Sequence, residues 1–469
     1  MKTMLFVITF FISTCMYTQN DSKISPETID KITKFVESKR DYYNSPSIAV
    51  AITDQDSTVY LKHFGNAKKG DQYLIGSNSK SFTALLTLLL QQKGLLNIKD
   101  PVRKYLTWFA YHNPAISDRI TLEDLLQHTS GIPTEIGRMF KGNNPDFDYI
   151  NYYKTTLKKL EVPTVPKQRF IYSNANYRLL GFVIETVTGK TYEQCLAEYI
   201  TIPMDLTNTT ASIGPNLIDS YQYFLYNPIL KFNGSFHRQE IPSGSISSTA
   251  SDMTKYLRNL MNSYNHNPNT ILQDTITQQL FTPSHNARYA LGWSVVKEPV
   301  IFYHSGTNES FESSMYILPS IQKSIIVMIN SNQAPYTEVI NGIYGILLGK
   351  NMNGPSSFPF YRALPLVVFA LLISIFFLVI KWRTLGFTVQ FTKKILPNIL
   401  LILGMCIAIA FIIIFPRLNG VSLTTAIAFD PASGYSIVSI SLFLFLISWI
   451  GYFIKTKLIY IKKFSTRSE

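Results

Sequence analysis

Three apolar stretches in the last quarter of the chain, residues 363–380, 395–415 and 435–454, carry no charged side chain. Each is long enough to cross roughly 30 Å of hydrocarbon as a helix. Three such helices buried in a soluble domain would need a large covering shell, so membrane spans are the expectation. Flanking charges orient them. Lys381, Arg383, Lys393 and Lys394 follow the first stretch, and Lys455, Lys457, Lys462, Lys463 and Arg467 follow the third, whereas the loop after the second offers only Arg417 and Asp430. By the positive-inside rule the first and third flanks are cytoplasmic, including a basic tail at 455–469, and the sequence before residue 363 lies on the opposite face. Residues 1–20 point the same way, because Lys2, an apolar run from Met4 to Cys15 and polar Gln19 and Asn20 have the layout of a secretory signal peptide.

This topology explains the charge. The chain of 469 residues has a formal net charge of +13, but eleven Lys or Arg against two Asp or Glu lie from Tyr361 onward, so +9 belongs to the membrane region. The basic excess is topological, the bilayer is the implied partner, and no nucleic-acid face is expected. Cys15 is in the leader and Cys406 in a span, which leaves Cys195 alone in the exported part, without an intradomain disulfide. Its setting in the helical stretch 192–200 makes it a small buried residue.

Residues 351–362, with two Pro, one Gly and two Ser, read as a linker, leaving 21–350 as one exported domain. An amphipathic helix is expected over 26–42, then strands at 47–53 and 57–63 around the polar turn Asp54, Gln55, Asp56. Helical runs follow at 82–92, 122–128 and 177–187. Strands return at 290–296, 301–304, 313–318 and 324–329 before a last helix at 336–348. Strands at both ends with helices between predict an α+β domain, its antiparallel sheet completed by both termini and flanked by helices, with a separate helical lobe. The seam between sheet and lobe is where a site belongs.

Ser77-Asn78-Ser79-Lys80 stands just before an apolar helix, which puts Ser77 near the N-cap and Lys80 one turn on, on the same side. The positive end of the helix dipole disfavours an ammonium there and favours an oxyanion or a deprotonated nucleophile, so Lys80 suits the role of proton acceptor. Ser-x-x-Lys recurs at Ser320 to Lys323, but after Pro319, in a polar turn between strands. Tyr-x-Asn occurs at Tyr42, Tyr149 and Tyr172. Only the third, with Asn174, leads from a short polar segment into an apolar helix, where a phenol and an amide can be held over a cleft. His-x-Gly occurs at His63 and His304. The second, His304-Ser305-Gly306-Thr307, ends a strand with small residues that let another backbone approach.

In this order and context the three elements resemble the signatures of the class C β-lactamase and DD-peptidase family. The blocks 73–83 (YLIGSNSKSFT), 125–133 (LLQHTSGIP), 172–189 (YSNANYRLLGFVIETVTG), 242–253 (PSGSISSTASDM) and 289–293 (YALGW) extend the resemblance over nearly all of the exported domain. It implies the β-lactamase/DD-peptidase-like fold, and a bacterial cytoplasmic-membrane protein with its catalytic domain outside. It further implies Ser77 as nucleophile, with Lys80 and Tyr172 sharing the role of base, and Asn174 holding the acyl-side amide of the substrate. The backbone N–H groups of Ser77 and Thr307 would form the oxyanion hole, and the strand through His304 and Gly306 would pair with an extended substrate. His128 and Gly131 are expected to shape a turn. The seven histidines show no ligand spacing, and no metal or cofactor is expected.

One departure bears on substrate. Many family members have Lys-Thr-Gly where this chain has His304-Ser305-Gly306, and a histidine holds no permanent charge for a substrate carboxylate. The expected substrate is a small D-alanyl amide or ester of the cell wall, with weak or no β-lactamase activity. Two other readings compete: a membrane-anchored binding or sensory module without turnover, which an intact Ser77, Lys80 and Tyr172 argue against, and a transporter subunit, for which the uncharged spans offer no polar path.

Overall fold

The structure, a computed structural model, describes residues 24–138, 147–162, 169–224, 227–231, 237–267, 270, 272–283, 288–332 and 336–352, with short pieces at 373, 406 and 437–442. The leader at 1–20, nearly all of the linker 351–362, the spans 363–380, 395–415 and 435–454 apart from those pieces, and the tail 455–469 lie outside the described residues. No helix among the described residues is long and apolar enough to cross a membrane.

Helix α1, Pro26–Tyr42, starts as the sequence expects: the Ser25 side chain accepts the N–H of Thr28, Pro26 takes the first turn, and Lys39 and Arg40 sit in the last. Strands β1 (Ser47–Thr53) and β2 (Thr58–Gly65) follow, joined by a turn in which the Asp54 carboxylate accepts the N–H groups of Asp56 and Ser57. Two short pairs come next in the chain, β3 (Tyr73–Leu74) with β6 (Ser247–Ser248) and β4 (Ser220–Phe224) with β5 (Asn227–Lys231). The C-terminal strands are β7 (Ser294–Lys297), β8 (Val300–Thr307), β9 (Glu312–Leu318) and β10 (Lys323–Ile329). Among the described residues, six strands form one antiparallel sheet in the order β2-β1-β10-β9-β8-β7. Both termini complete it: β1 from the start of the domain pairs with β10 from its end, Ile48 opposite Ile329.

Alternation along these strands divides the core. Ile48, Val50 and Ile52 of β1, with Ile325, Val327 and Ile329 of β10, face α1 and the final helix Tyr336–Leu347. Ala49, Ala51, Ile326 and Met328 face the helical lobe, on the other side. Every residue of β1 is buried, as a central strand covered on both faces must be. A lobe inserted between β2 and β7 carries the helices Ser79–Gln92 (α2), Leu122–Leu126, Asn174–Thr188 and Ala250–Tyr264.

Two expected elements lose more than one residue at an end. The strand expected over 290–296 begins only at Ser294, because Ala290 donates to the carbonyl of Trp293 at 2.7 Å and closes a turn. The helix expected over 122–128 ends at Leu126, where His128 turns the chain with φ +59°.

Candidate active site

The turn carrying Ser77 is pinned from three directions. Before it, the Ile75 N–H donates to Ile246 at 2.9 Å, extending the β3–β6 pair. Within it, Gly76–Asn78 forms a 3₁₀ turn ahead of α2, and the Ser79 hydroxyl donates to the Gly76 carbonyl at 2.7 Å while accepting the Ile246 N–H. Beside it, Asn78 Nδ2 donates to Ser313 Oγ at 2.7 Å, and Ser313 Oγ donates to the Ile75 carbonyl at 2.8 Å, bridging to β9. Ser77 therefore lies one residue ahead of the helix N-cap, Asn78, rather than on it.

Glycines let β8 press on this turn. A Cβ on Gly306 would lie 2.0 Å from the Ile75 carbonyl oxygen, and one on Gly76, whose φ is +53°, would lie 2.6 Å from the Thr307 nitrogen. The approach brings the Thr307 amide alongside the Ser77 turn. Its direction follows from the ladder. Asn308 N–H donates to the Phe311 carbonyl at 3.0 Å, so by alternation the Gly306–Ser313 and His304–Met315 pairs are the hydrogen-bonded ones. The Thr307 N–H then points away from β9. Strand β7 pairs with β8 only as far as Tyr303, so the edge from His304 to Thr307 opens on the cleft.

Lys80 is fully buried, and its Nζ lies 3.0 Å from Ser77 Oγ, 2.8 Å from Asn174 Oδ1 and 2.5 Å from the Ser243 carbonyl. All three partners are neutral. Burial first, then the charges of Arg178 and Arg138, push the Lys80 pKa well below the ordinary lysine range. Arg178, buried on the Asn174–Thr188 helix, pairs with Glu240 at 3.0 Å and donates through Nε to Ser243 Oγ at 3.3 Å. One serine thus stands between two cationic groups. The sequence reading missed Arg178 and Ser243, although an arginine inside the apolar run 177–184 was a visible signal.

Tyr172 stands over the lysine head group, with Lys80 Nζ 4.9 Å from its ring centre. Burial raises its phenol above the usual range, against a side-chain hydrogen bond with Ser77 that lowers it. The segment carrying Tyr172 is stitched to the loop 128–134. Ile171 N–H donates to the His128 carbonyl at 2.8 Å, Ser173 N–H to His128 Nδ1 at 3.2 Å and Thr134 Oγ1 to the Tyr172 carbonyl at 2.6 Å. His128, fully buried, thereby shapes a turn as expected and also fixes the height of Tyr172 and Asn174.

His304 was expected to face substrate. Both of its nitrogens are engaged within the protein, Nδ1 with the Ser305 carbonyl at 2.8 Å and Nε2 with the Tyr289 hydroxyl at 3.0 Å. The partner Tyr289 opens the segment 289–293, and local sequence gives it no role. The other motif copies do not join the site chemistry. Ser320 falls in the Pro319–Ile321 turn between β9 and β10, and Tyr149 opens a helix and donates to Glu240. Cys195 is buried and free. Among the described residues no three His, Cys, Asp or Glu side chains are grouped to hold a metal ion.

The sequence profile of the Beta-lactamase family matches residues 32–344. The chain belongs to that family. Its members are serine hydrolases, and a buried lysine 3.0 Å from Ser77 Oγ is one arrangement that can supply the base such chemistry needs. Protein flp of Staphylococcus aureus (strain N315) is 26% identical over 325 residues, and the match covers 66% of this chain and 65% of flp. The putative penicillin-binding protein PbpX of Bacillus subtilis (strain 168) is 27% identical over 306 residues, covering 61% of this chain and 69% of PbpX. The octameric penicillin-binding protein homologue from Pyrococcus abyssi has the same fold, with a TM-score of 0.58 at 23% identity over 69% of this chain and 78% of its own. A D-stereospecific amidohydrolase from Streptomyces sp. also matches with a TM-score of 0.58, at 20% identity, over 69% of this chain and 99% of its own.

Proposed function

We propose that this β-lactamase-family chain hydrolyses D-alanyl amides or esters of the bacterial cell envelope through an acyl-enzyme on Ser77. The observation that carries this reading is Lys80: fully buried, 3.0 Å from Ser77 Oγ, hydrogen-bonded to neutral groups and repelled by two arginines. Such a lysine is poised to be neutral and to take the proton as Ser77 Oγ bonds to the acyl carbon. Developing negative charge on the carbonyl oxygen is met by the N–H groups of Ser77 and Thr307. Tyr172, held protonated, gives its proton to the departing amine or alcohol as the C–N or C–O bond breaks, and the proton that Lys80 took from Ser77 replaces it. Lys80 holds the Oδ1 of Asn174, so its Nδ2 is the group that can donate to the acyl-side amide. Water then attacks the acyl-enzyme and restores Ser77.

The choice of D-alanyl compounds draws on the D-stereospecific amidohydrolase and penicillin-binding relatives and on the lack of a permanent cation at position 304. Membrane anchoring, with 21–350 outside and 455–469 inside, rests on the charge asymmetry and the apolar spans of the sequence. The test is intact-mass analysis of the full chain in detergent after a fluorophosphonate and, separately, penicillin, beside Ser77→Ala. The expected result is one adduct that the substitution abolishes. A folded chain that takes neither reagent would overturn the enzyme reading and favour a binding module.

A further inference from the structure

Beside Tyr172 the cleft has a wall whose other residues take no part in acyl transfer at Ser77. His304 is 5% exposed, and the carbonyl of Ser305 facing Nδ1 requires the proton there, so Nε2 accepts from Tyr289. Neither nitrogen is left for a ligand. The ring is also neutral, since burial above all pushes its pKa down to about 3. Around it the packing is aromatic. The Tyr289 ring lies 5.8 Å from His304, 6.3 Å from Tyr172, 5.0 Å from His128 and 5.5 Å from Phe170. Phe170, braced also by His128 at 5.7 Å, is 43% exposed, whereas Tyr289 and His128 behind it are buried. Tyr172 belongs to this wall, and in the acyl-transfer scheme it returns the proton to the leaving group, so the leaving group sits on this side of Ser77.

We infer that Phe170, with Tyr289 and His304 packed behind it, presents a leaving-group subsite for an uncharged, flat apolar group, and that it excludes a free carboxylate. An aromatic face offers a phenyl group stacking and area burial but gives a carboxylate nothing to replace its hydration. This inference rests on the acyl-transfer reading of Ser77. Methyl and benzyl esters of N-acetyl-D-alanine have alcohols of nearly equal acidity, so their ratio reports the subsite rather than leaving-group chemistry. With the full chain in detergent, kcat/KM for the benzyl ester should exceed that for the methyl ester by about tenfold, because roughly one face of the ring is buried. N-acetyl-D-alanyl-D-alanine should be the poorest of the three. Phe170→Ala should bring the ester ratio to within about twofold, and Phe170→Leu should keep most of it. A wild-type ratio near one, a ratio that survives Phe170→Ala, or a preference for the free carboxylate would each overturn the subsite while fluorophosphonate still labels Ser77. Absence of both label and turnover would remove the acyl-transfer reading, and the subsite with it.

Discussion

Replacing Gly306 by alanine tests whether the contact between β8 and the nucleophile turn assembles the oxyanion hole. The new Cβ would lie 2.0 Å from the Ile75 carbonyl oxygen and 2.9 Å from Ser313 Oγ, where ordinary contact begins at 3.4 Å. The oxygen belongs to backbone and cannot rotate away, so β8 or the turn must shift by more than an ångström. Overpacking of this kind costs about 1–3 kcal/mol of stability. The larger effect falls on rate. Thr307 follows Gly306 directly, so the shift withdraws its N–H from the nucleophile, and losing one such donor costs roughly 10²–10³ in kcat. Steady-state hydrolysis of a D-alanyl ester, with thermal unfolding of the same preparation, separates the two consequences. The expected result is a kcat about a hundredfold lower with a modest fall in melting temperature and a smaller change in KM. A variant whose melting temperature falls but whose kcat stays within about threefold would refute the assignment of the Thr307 N–H to the reaction.

Arg178→Met removes a cation that lowers the Lys80 pKa, so the acid limb of kcat/KM should move to higher pH. Breaking its pair with Glu240 should cost about 3 kcal/mol, and an acid limb at the wild-type position would show that the two cations are not coupled. For His304 the folded pKa of about 3 lies below the usual 6.5, so between these values the unfolded chain binds a proton that the folded chain refuses. Stability should therefore fall as pH drops from 6.5 toward 3, by up to a few kcal/mol, and His304→Gln should flatten that dependence in unfolding curves compared with wild type. Parallel curves would place the histidine in a more solvated setting. In intact bacterial cells, added protease should remove the 21–350 domain and spare a tag on the 455–469 tail, and the reverse pattern would invert the proposed topology.

Local pattern made much of the fold legible. The alternation of Ile48, Val50 and Ile52 marks β1, and Ser25 with Pro26 marks the start of α1, because caps and two-residue periodicity act within a few residues. Spacing likewise put Lys80 one turn beyond Ser77. The strand expected from residue 290 failed because its apolar residues serve a turn, and periodicity alone cannot distinguish a buried turn from a buried strand. His304 was legible as a departure from lysine but not as a residue closed to ligand, since its partner Tyr289 lies fifteen positions away in a separate turn.

The sequence by itself determined which side chains could do chemistry, the helix that presents Ser77 and Lys80, the glycines that allow close approach, and the charge asymmetry on which the proposed topology rests. Tertiary structure alone decided the state of those groups. Lys80 loses its water, gains the carbonyl of Ser243 from 163 positions away and meets the field of Arg178. Protonation depends on solvation and on charges nearby in space, and the chain brings these together only where the Asn174–Thr188 helix and the Ser243 segment pack against α2.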